Sequence, residues 1–538
     1  MAFVKNSSQQ ISLVDSFFGL TDREQRYLNN SWAKAFSDKI FPAINEERFA
    51  VLYSDKASRP NTPVNVIVGA LILKELMHLT DDELMQSLMF DVRYQYALHT
   101  TSFEEQPLSD RSLSRFRARV ISYETQTGID LIHECVTSLS GKIAEFMNIA
   151  PTLQRMDSLM VSANIRNLSM IELFYRCVAS LMKVMSNNDE KIPENLSHYL
   201  DKDDYNKVVY HMRDINIKTR IKEVLDDAVQ LSMLCSGKYD ETAEYQLLIR
   251  LLNEQSIEDN GEYRLRTKEE KVNASQHLIN PADPEATFRL KANKKHCGYV
   301  ANVVESVGEN GSVVTEYRYE QNTYNDSEFA RDYMKSLPED TEEITLVTDG
   351  AYGSEGNLAI AKQHNVNFIN TNFSGVKHDE IYAEFVISED GSEIIECPNK
   401  QTPIKSYFIL QKKKDNRNKV YIAYYPKSTC EQCPYKDRCK PVFQESTARK
   451  EVSYIRIFHA KQQLYMKTEE FHNRACFRNG VETIPSLLRR KYRVDKIPAH
   501  RKIPTKLHFG FKIAALNFVK LFKYLSSLPL CAPELEKA

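Results

Sequence analysis

Three acidic residues have types and positions that could do metal-assisted chemistry. Asp157 lies within residues 153–161, a stretch otherwise suited to a β-strand, although aspartate fits poorly in a strand interior. Asp349 closes the apolar run Ile344–Thr348 and precedes Gly350. In open α/β sheets, ligands gather beyond the carboxyl ends of strands. Arg478, Glu482 and Arg489 are spaced by four and seven residues, which places them on one face of a helix. Plainer alternatives stay open: Asp349-Gly350 is ordinary turn chemistry, and Arg478 with Glu482 could be a surface ion pair. Together the three carboxylates would do more. Their oxygens are the hard ligands that Mg²⁺ prefers, and two such ions can activate an attacking oxygen and stabilise a leaving one in phosphodiester chemistry. Without a cation, two carboxylates about 4 Å apart repel by about 4 kcal/mol at an effective dielectric near 20. Convergence would therefore be a functional signal.

Two further groups invite a role. Cys430-x₂-Cys433-x₅-Cys439, with Cys397 upstream, could supply four thiolates to a structural Zn²⁺, the alternatives being reduced thiols or a disulfide. Cys135, Cys177, Cys235, Cys297, Cys476 and Cys531 read as isolated thiols, and His296 as structural. From Arg474 to Lys523, thirteen lysines and arginines stand against two acids, Glu482 and Asp495. Arg478, Arg489, Arg490, Lys491, Arg493, Arg501 and Lys502 in this tail are candidates for double-stranded DNA backbone contacts, which position rather than read sequence. Tyr492, His508 and Phe509 could add contacts to sugar or bases. A second basic set, Arg111, Arg115, Arg117 and Arg119, sits on an expected helix starting at Ser109 or Asp110. Arg115 and Arg119 could lie against DNA in a helix-turn-helix-like module, the alternative being a solvated arginine face.

The elements that must position these groups follow from patterning. A chain of 538 residues, 42% hydrophobic and 27% charged, is long enough for several cores. Lys+Arg (71) and Asp+Glu (73) nearly cancel to a net charge of −2, so whole-chain charge points to no polyanion and no acidic substrate. No run of eighteen apolar residues occurs, which argues against a membrane span; a secretory signal is also not expected, and scattered cysteines suit a reducing cytoplasm. Residues 1–147 read as an all-α domain: Thr62-Pro63 opens a helix with an apolar stripe near period 3.6, and Thr80 with Glu83 forms a capping box. Residues 148–164 give a first strand, 165–282 a largely helical insertion, and 283–371 a run of hairpin, helix, strand, helix and strand, with the turn Gly308-Glu309-Asn310-Gly311 joining two strands. Residues 372–467 form a β-containing insertion with the cysteines. Residues 468–538 hold a long helix over 468–493 and the basic tail with an apolar helix over 511–524.

In this order the residues resemble a family. Asp157 in Arg-Met-Asp-Ser-Leu-Met-Val-Ser, Asp349 in Val-Thr-Asp-Gly-Ala-Tyr-Gly-Ser, and Glu482 after Arg478 look like the three catalytic blocks of a bacterial insertion-sequence DDE transposase, most like the IS1182-like group of the IS4/IS5 set. Arg59-Pro60 through Leu88, residues 108–116, Asp283-Pro284-Glu285-Ala286 with Lys291, and Ala514-Ala515-Leu516-Asn517 are similar to further family stretches. The resemblance implies an α/β catalytic core of RNase H-like type, a mixed five-stranded sheet with flanking helices. It implies catalysis on Mg²⁺ (or Mn²⁺) held by Asp157, Asp349 and Glu482, action on element ends and target DNA, and a homodimer in the DNA complex. The family's third block carries Tyr, Arg, Glu and Lys; here Ala475, Arg478, Glu482 and Arg489 stand in those places, so the tyrosine is missing and Glu469 and Glu470 compete with Glu482. A metal-dependent nuclease of the same fold, or a DNA-binding protein with degraded chemistry, remains an alternative.

Overall fold

The computed structural model describes residues 1–6, 16–54, 56, 59–100, 108–109, 111–210, 216–291, 293–338, 342–371, 379–413, 416–471, 477–478 and 480–528. Asp110, Arg474, Ala475, Cys476 and Cys531 lie outside this set. The chain divides into two compact units: Met1–Ala150, Ser158–Asn325 and Pro485–Ala538 form one, Pro151–Asp157 and Asp326–Ile484 the other.

The first unit opens with helices. Val64–Met77 is buried on every side, Asn65, Lys74 and Glu75 included, so it is a central helix rather than the one-sided stripe expected from sequence. It starts at Val64 with Pro63 as N-cap and no side-chain cap, one residue later than Thr62-Pro63 suggested. The capping box of Thr80 and Glu83 forms as expected. The arginine-bearing helix spans Ser112–Thr127, after a turn in which Ser109 and Ser112 bond each other. Met170–Asn187, Ile217–Cys235 and Ala243–Gln255 build a helical segment with its own apolar core around Phe174, Leu181, Leu225, Leu231 and Leu248.

The unit's sheet is a meander. Strand β1 (Leu153–Ser162) contributes its second half; β2 (Thr287–Lys291) pairs antiparallel with β3 (Lys294–Gly308), and β3 with β4 (Gly311–Gln321) through the Gly308–Gly311 turn. β3 neighbours β1 as well. Gly298, at φ +139, leaves no room for a side chain against Val161 O and Ala163 N, so only glycine lets the strands close there. Helix Lys502–Ser527 buries Phe509, Phe511, Ile513, Leu516 and Phe518 and packs on helices Val64–Met77 and Leu131–Phe146 and on β4. It is a core element and extends well before the apolar helix expected over 511–524.

The second unit begins with the first half of β1. That half pairs in parallel with β5 (Ile344–Thr348), which pairs in parallel with β6 (Val366–Asn370). Helices Asp326–Ser336 and Glu355–Gln363 accompany these strands. Three longer antiparallel strands follow: β7 (Lys405–Lys413), β8 (Asn416–Pro426) and β9 (Thr447–Ser453). The single long helix expected over 468–493 is not present. Glu482 ends a 3-10 turn, Gly480–Glu482, and an α-helix starts afresh at Thr483.

Candidate active site

All three acids belong to the second unit, as does Arg478. Parallel pairing explains the first two. Arg155 registers with Val347, so continuing two places sets Asp157 alongside Asp349, on strands spaced about 4.8 Å apart. Asp349 sits one residue beyond β5, where its Oδ1 accepts the Gly350 N–H at 2.6 Å. The turn role foreseen for Asp-Gly is therefore real, and it leaves Oδ2 free to face Arg478.

Arg478 gathers the set. Its Nη2 lies 4.0 Å from Asp157 Oδ1 and 3.9 Å from Asp349 Oδ2, and its Nη1 lies 3.2 Å from Glu482 Oε1. The arginine side chain is 15% exposed, Asp157 18%, Asp349 42% and Glu482 61%. The cluster thus runs from half-buried to open. Arg478 Nε is buried and has no hydrogen-bond partner among the described residues, an unspent donor at the centre of the site. As the side chains stand, no three His, Cys, Asp or Glu among the described residues form a group able to hold a metal ion.

Sequence reading missed Arg155. This residue is buried, donates from Nη1 to the Phe477 carbonyl at 2.6 Å, and lies 5.2 Å over the Phe477 ring. A methyl group at Gly480 would run into its guanidinium. Arg155 thus braces Phe477, next to Arg478, and Gly480, which opens the turn ending at Glu482. The available signal was a cation inside a strand, two residues before the key aspartate.

The other candidates separate into engaged and free groups. In the first unit, Arg489 donates to the Met160 carbonyl at 2.9 Å and pairs with Asp495 at 3.7 Å, while Lys502 pairs with Glu320. Lys506, Lys512 and Lys520 meet Glu124, Glu75 and Glu305. Arg490, Lys491, Arg493 and Arg501 are exposed and have no acidic partner among the described residues. Tyr492, His508 and Phe509 are buried, contrary to the expectation that they could touch nucleic acid: His508 and Phe509 lie on the core face of helix Lys502–Ser527, and Tyr492 is buried in the connection after helix Thr483–Arg490. On helix Ser112–Thr127, Arg117 pairs with Asp81, whereas Arg115 and Arg119 pair with no acid among the described residues.

The cysteine cluster does assemble. Cys397, Cys430, Cys433 and Cys439 all line one cavity of about 30 Å³ in the second unit, with no disulfide among them. Burial and then the neighbouring thiols push Cys430 up to about 11. Burial raises Cys439 despite the nearby Lys450 ammonium. Elsewhere Cys135 and Cys177 are raised to about 12 by burial, inert thiols as expected.

Comparison with known proteins completes the picture. Residues 396–522 match the family model for a transposase DDE domain, and residues 25–119 match a transposase domain model (DUF772). The first match covers Glu482 and the cysteines; Asp157 and Asp349 fall between the two. No curated protein and no solved structure matches the chain. Among the described residues, no helix is long and apolar enough to cross a membrane.

Proposed function

We propose that this chain, whose two matched domains are typical of IS1182-family transposases, is an insertion-sequence DDE transposase that cuts double-stranded DNA at its element's ends and joins the freed 3′-hydroxyl to a target. One observation carries this reading: acids from three distant parts of the chain surround a single guanidinium. Asp157, Asp349 and Glu482 offer the hard oxygen donors that suit Mg²⁺ or Mn²⁺. A pair of such ions would supply an activated oxygen nucleophile and charge relief on the leaving oxygen. The chain's own contribution is position. Parallel pairing holds Asp157 beside Asp349, the Gly350 N–H orients Asp349, and Arg155 steadies the turn that presents Glu482. Arg478 keeps the acids from repelling one another and has Nε in hand for a phosphate oxygen.

The strand pairings support an RNase H-like type for the core: β4 and β3 lead to β1, and β5 and β6 follow it in parallel. Duplex DNA would be held through phosphates by Arg115, Arg119, Arg490, Lys491, Arg493 and Arg501, with Arg489 and Lys502 serving the fold instead. Two copies would act together, since two ends must be joined. The four thiols line one small cavity, and Zn²⁺ would draw the sulfurs together as a structural clamp. Elemental analysis of purified chain should find one zinc per chain; metal-free protein with four reactive thiols would exclude the clamp.

The central test uses Asp157→Ala with a DNA substrate carrying the element ends. Strand cleavage in Mg²⁺ should fall by at least a hundredfold while DNA binding persists. Undiminished cleavage would overturn the assignment. Cleavage by the parent chain without joining of the 3′-hydroxyl would make it a nuclease.

A further inference from the structure

Arg59, Arg115 and Arg119 border a recess of about 500 Å³ in the helical part of the first unit, with Tyr53 and Phe116 among its walls. That size lies within the range of small-ligand sites and exceeds what a lone phosphate needs. The charges are the unusual feature. None of these guanidinium groups has an acidic partner among the described residues, whereas Arg48, Arg93 and Arg117 in the same helical region pair with Glu134, Asp91 and Asp81. Arg119 lies 4.9 Å over the Tyr53 ring, which fixes its plane without neutralising it. Arg59 and Arg115 are exposed. Helix Ser112–Thr127 begins at the recess and carries no side-chain cap, so its first N–H groups add positive potential there.

Like charges held around one recess repel, and an anion relieves them. Planar guanidinium forks match phosphate oxygens, and the recess is too large for a phosphate alone, leaving room for a sugar and base beside Tyr53. We propose that this recess binds one nucleotide of a DNA strand, with its phosphate on Arg59, Arg115 and Arg119 and its sugar and base beside the half-buried Tyr53. The inference deepens the DNA-binding part of the function above and rests on it.

The test measures binding of full-length protein to a labelled single-stranded oligonucleotide and to a duplex, by fluorescence anisotropy across salt concentrations. Arg59→Ala and Arg115→Ala should each weaken strand binding about tenfold and flatten the salt dependence by about 0.7 for single strands or 0.9 for duplex. Arg48→Ala, outside the recess, should change neither. Arg115→Lys should restore the salt dependence but not the full affinity. A deoxynucleoside monophosphate should displace the strand from the parent chain at concentrations where inorganic phosphate does not. Unchanged affinity in Arg59→Ala and Arg115→Ala overturns the proposal, as does competition by phosphate equal to that of the nucleotide. The Asp157→Ala cleavage test reads separately. Cleavage lost in Asp157→Ala together with unchanged affinity in Arg59→Ala and Arg115→Ala sinks the recess alone, and recess-dependent binding without any cleavage by the parent chain sinks the enzymatic reading alone.

Discussion

At Arg478 one guanidinium faces three carboxylates, so the cluster keeps a local excess of negative charge. The members do not count equally. Glu482 is largely in water, where an ion pair contributes little; Asp157 is mostly withdrawn from it and depends more on the cation. Replacing Arg478 by Gln should lower the stability of metal-free protein by about 1–3 kcal/mol. Millimolar Mg²⁺ should then raise the melting temperature more in Arg478→Gln than in the parent, because the carboxylates have lost the protein's own cation. Thermal melts in EDTA and in Mg²⁺ compare the two, and an equal response to Mg²⁺ would remove Arg478 from the electrostatics of the site.

At the scale of elements, helix Lys502–Ser527 shows how burial is made compatible with charge. Lys512 enters the core of the first unit and meets Glu75 on the central helix, with His508 Nδ1 3.3 Å from the same carboxylate. Burial alone would raise Glu75, but the His508 hydrogen bond and the Lys512 charge outweigh it and hold the carboxyl at about 2 against an ordinary 4.5. Burial lowers His508 despite the carboxylate, so it serves as a neutral donor. A depressed carboxyl contributes stability that is complete above pH 4.5 and is lost as pH falls through about 2, an effect of about 3 kcal/mol. Glu75→Gln should flatten that part of the acid-unfolding profile. It should also cost about 3–5 kcal/mol at neutral pH, since Lys512 would stay buried without its partner. Chemical denaturation at a series of pH values measures both, and an unchanged acid limb would place the pH dependence elsewhere. The same helix marks what the sequence made legible. Its apolar run was plain, but Lys506, Lys512 and Lys520 read as part of a DNA-contacting tail because their acids lie hundreds of residues away. Local signals did better: the Thr80–Glu83 capping box, the Gly308–Gly311 turn and the strand ending at Asp349 depend on near neighbours and appear where expected. The helix over 468–493 is interrupted by the 3-10 turn Gly480–Glu482, where Gly480 packs against Arg155, a contact that no local pattern announces.

Across the whole chain, near-neutral net charge conceals two populations of cations. One is consumed by the fold: Lys502, Lys506, Lys512 and Lys520 each have an acid in the first unit. The other is exposed without acidic partners among the described residues: Arg490, Lys491, Arg493 and Arg501 after the Gly480–Glu482 turn, and Arg59 and Arg115 in the helical region. Only the second population can release counterions from DNA, so composition alone misjudges both the affinity and the stability. The two should separate by experiment. Replacing Arg490, Lys491 and Arg493 together by Ala should reduce the slope of log binding constant against log salt by up to about 2.7, at about 0.9 per duplex phosphate contact, and leave the melting temperature unchanged. Lys512→Ala should do the reverse, melting lower while the salt slope of the protein still folded at 25 °C stays the same. A triple variant that binds duplex with the parent's salt slope would show that these exposed cations face solvent only, and the DNA path would have to run through the helical region instead.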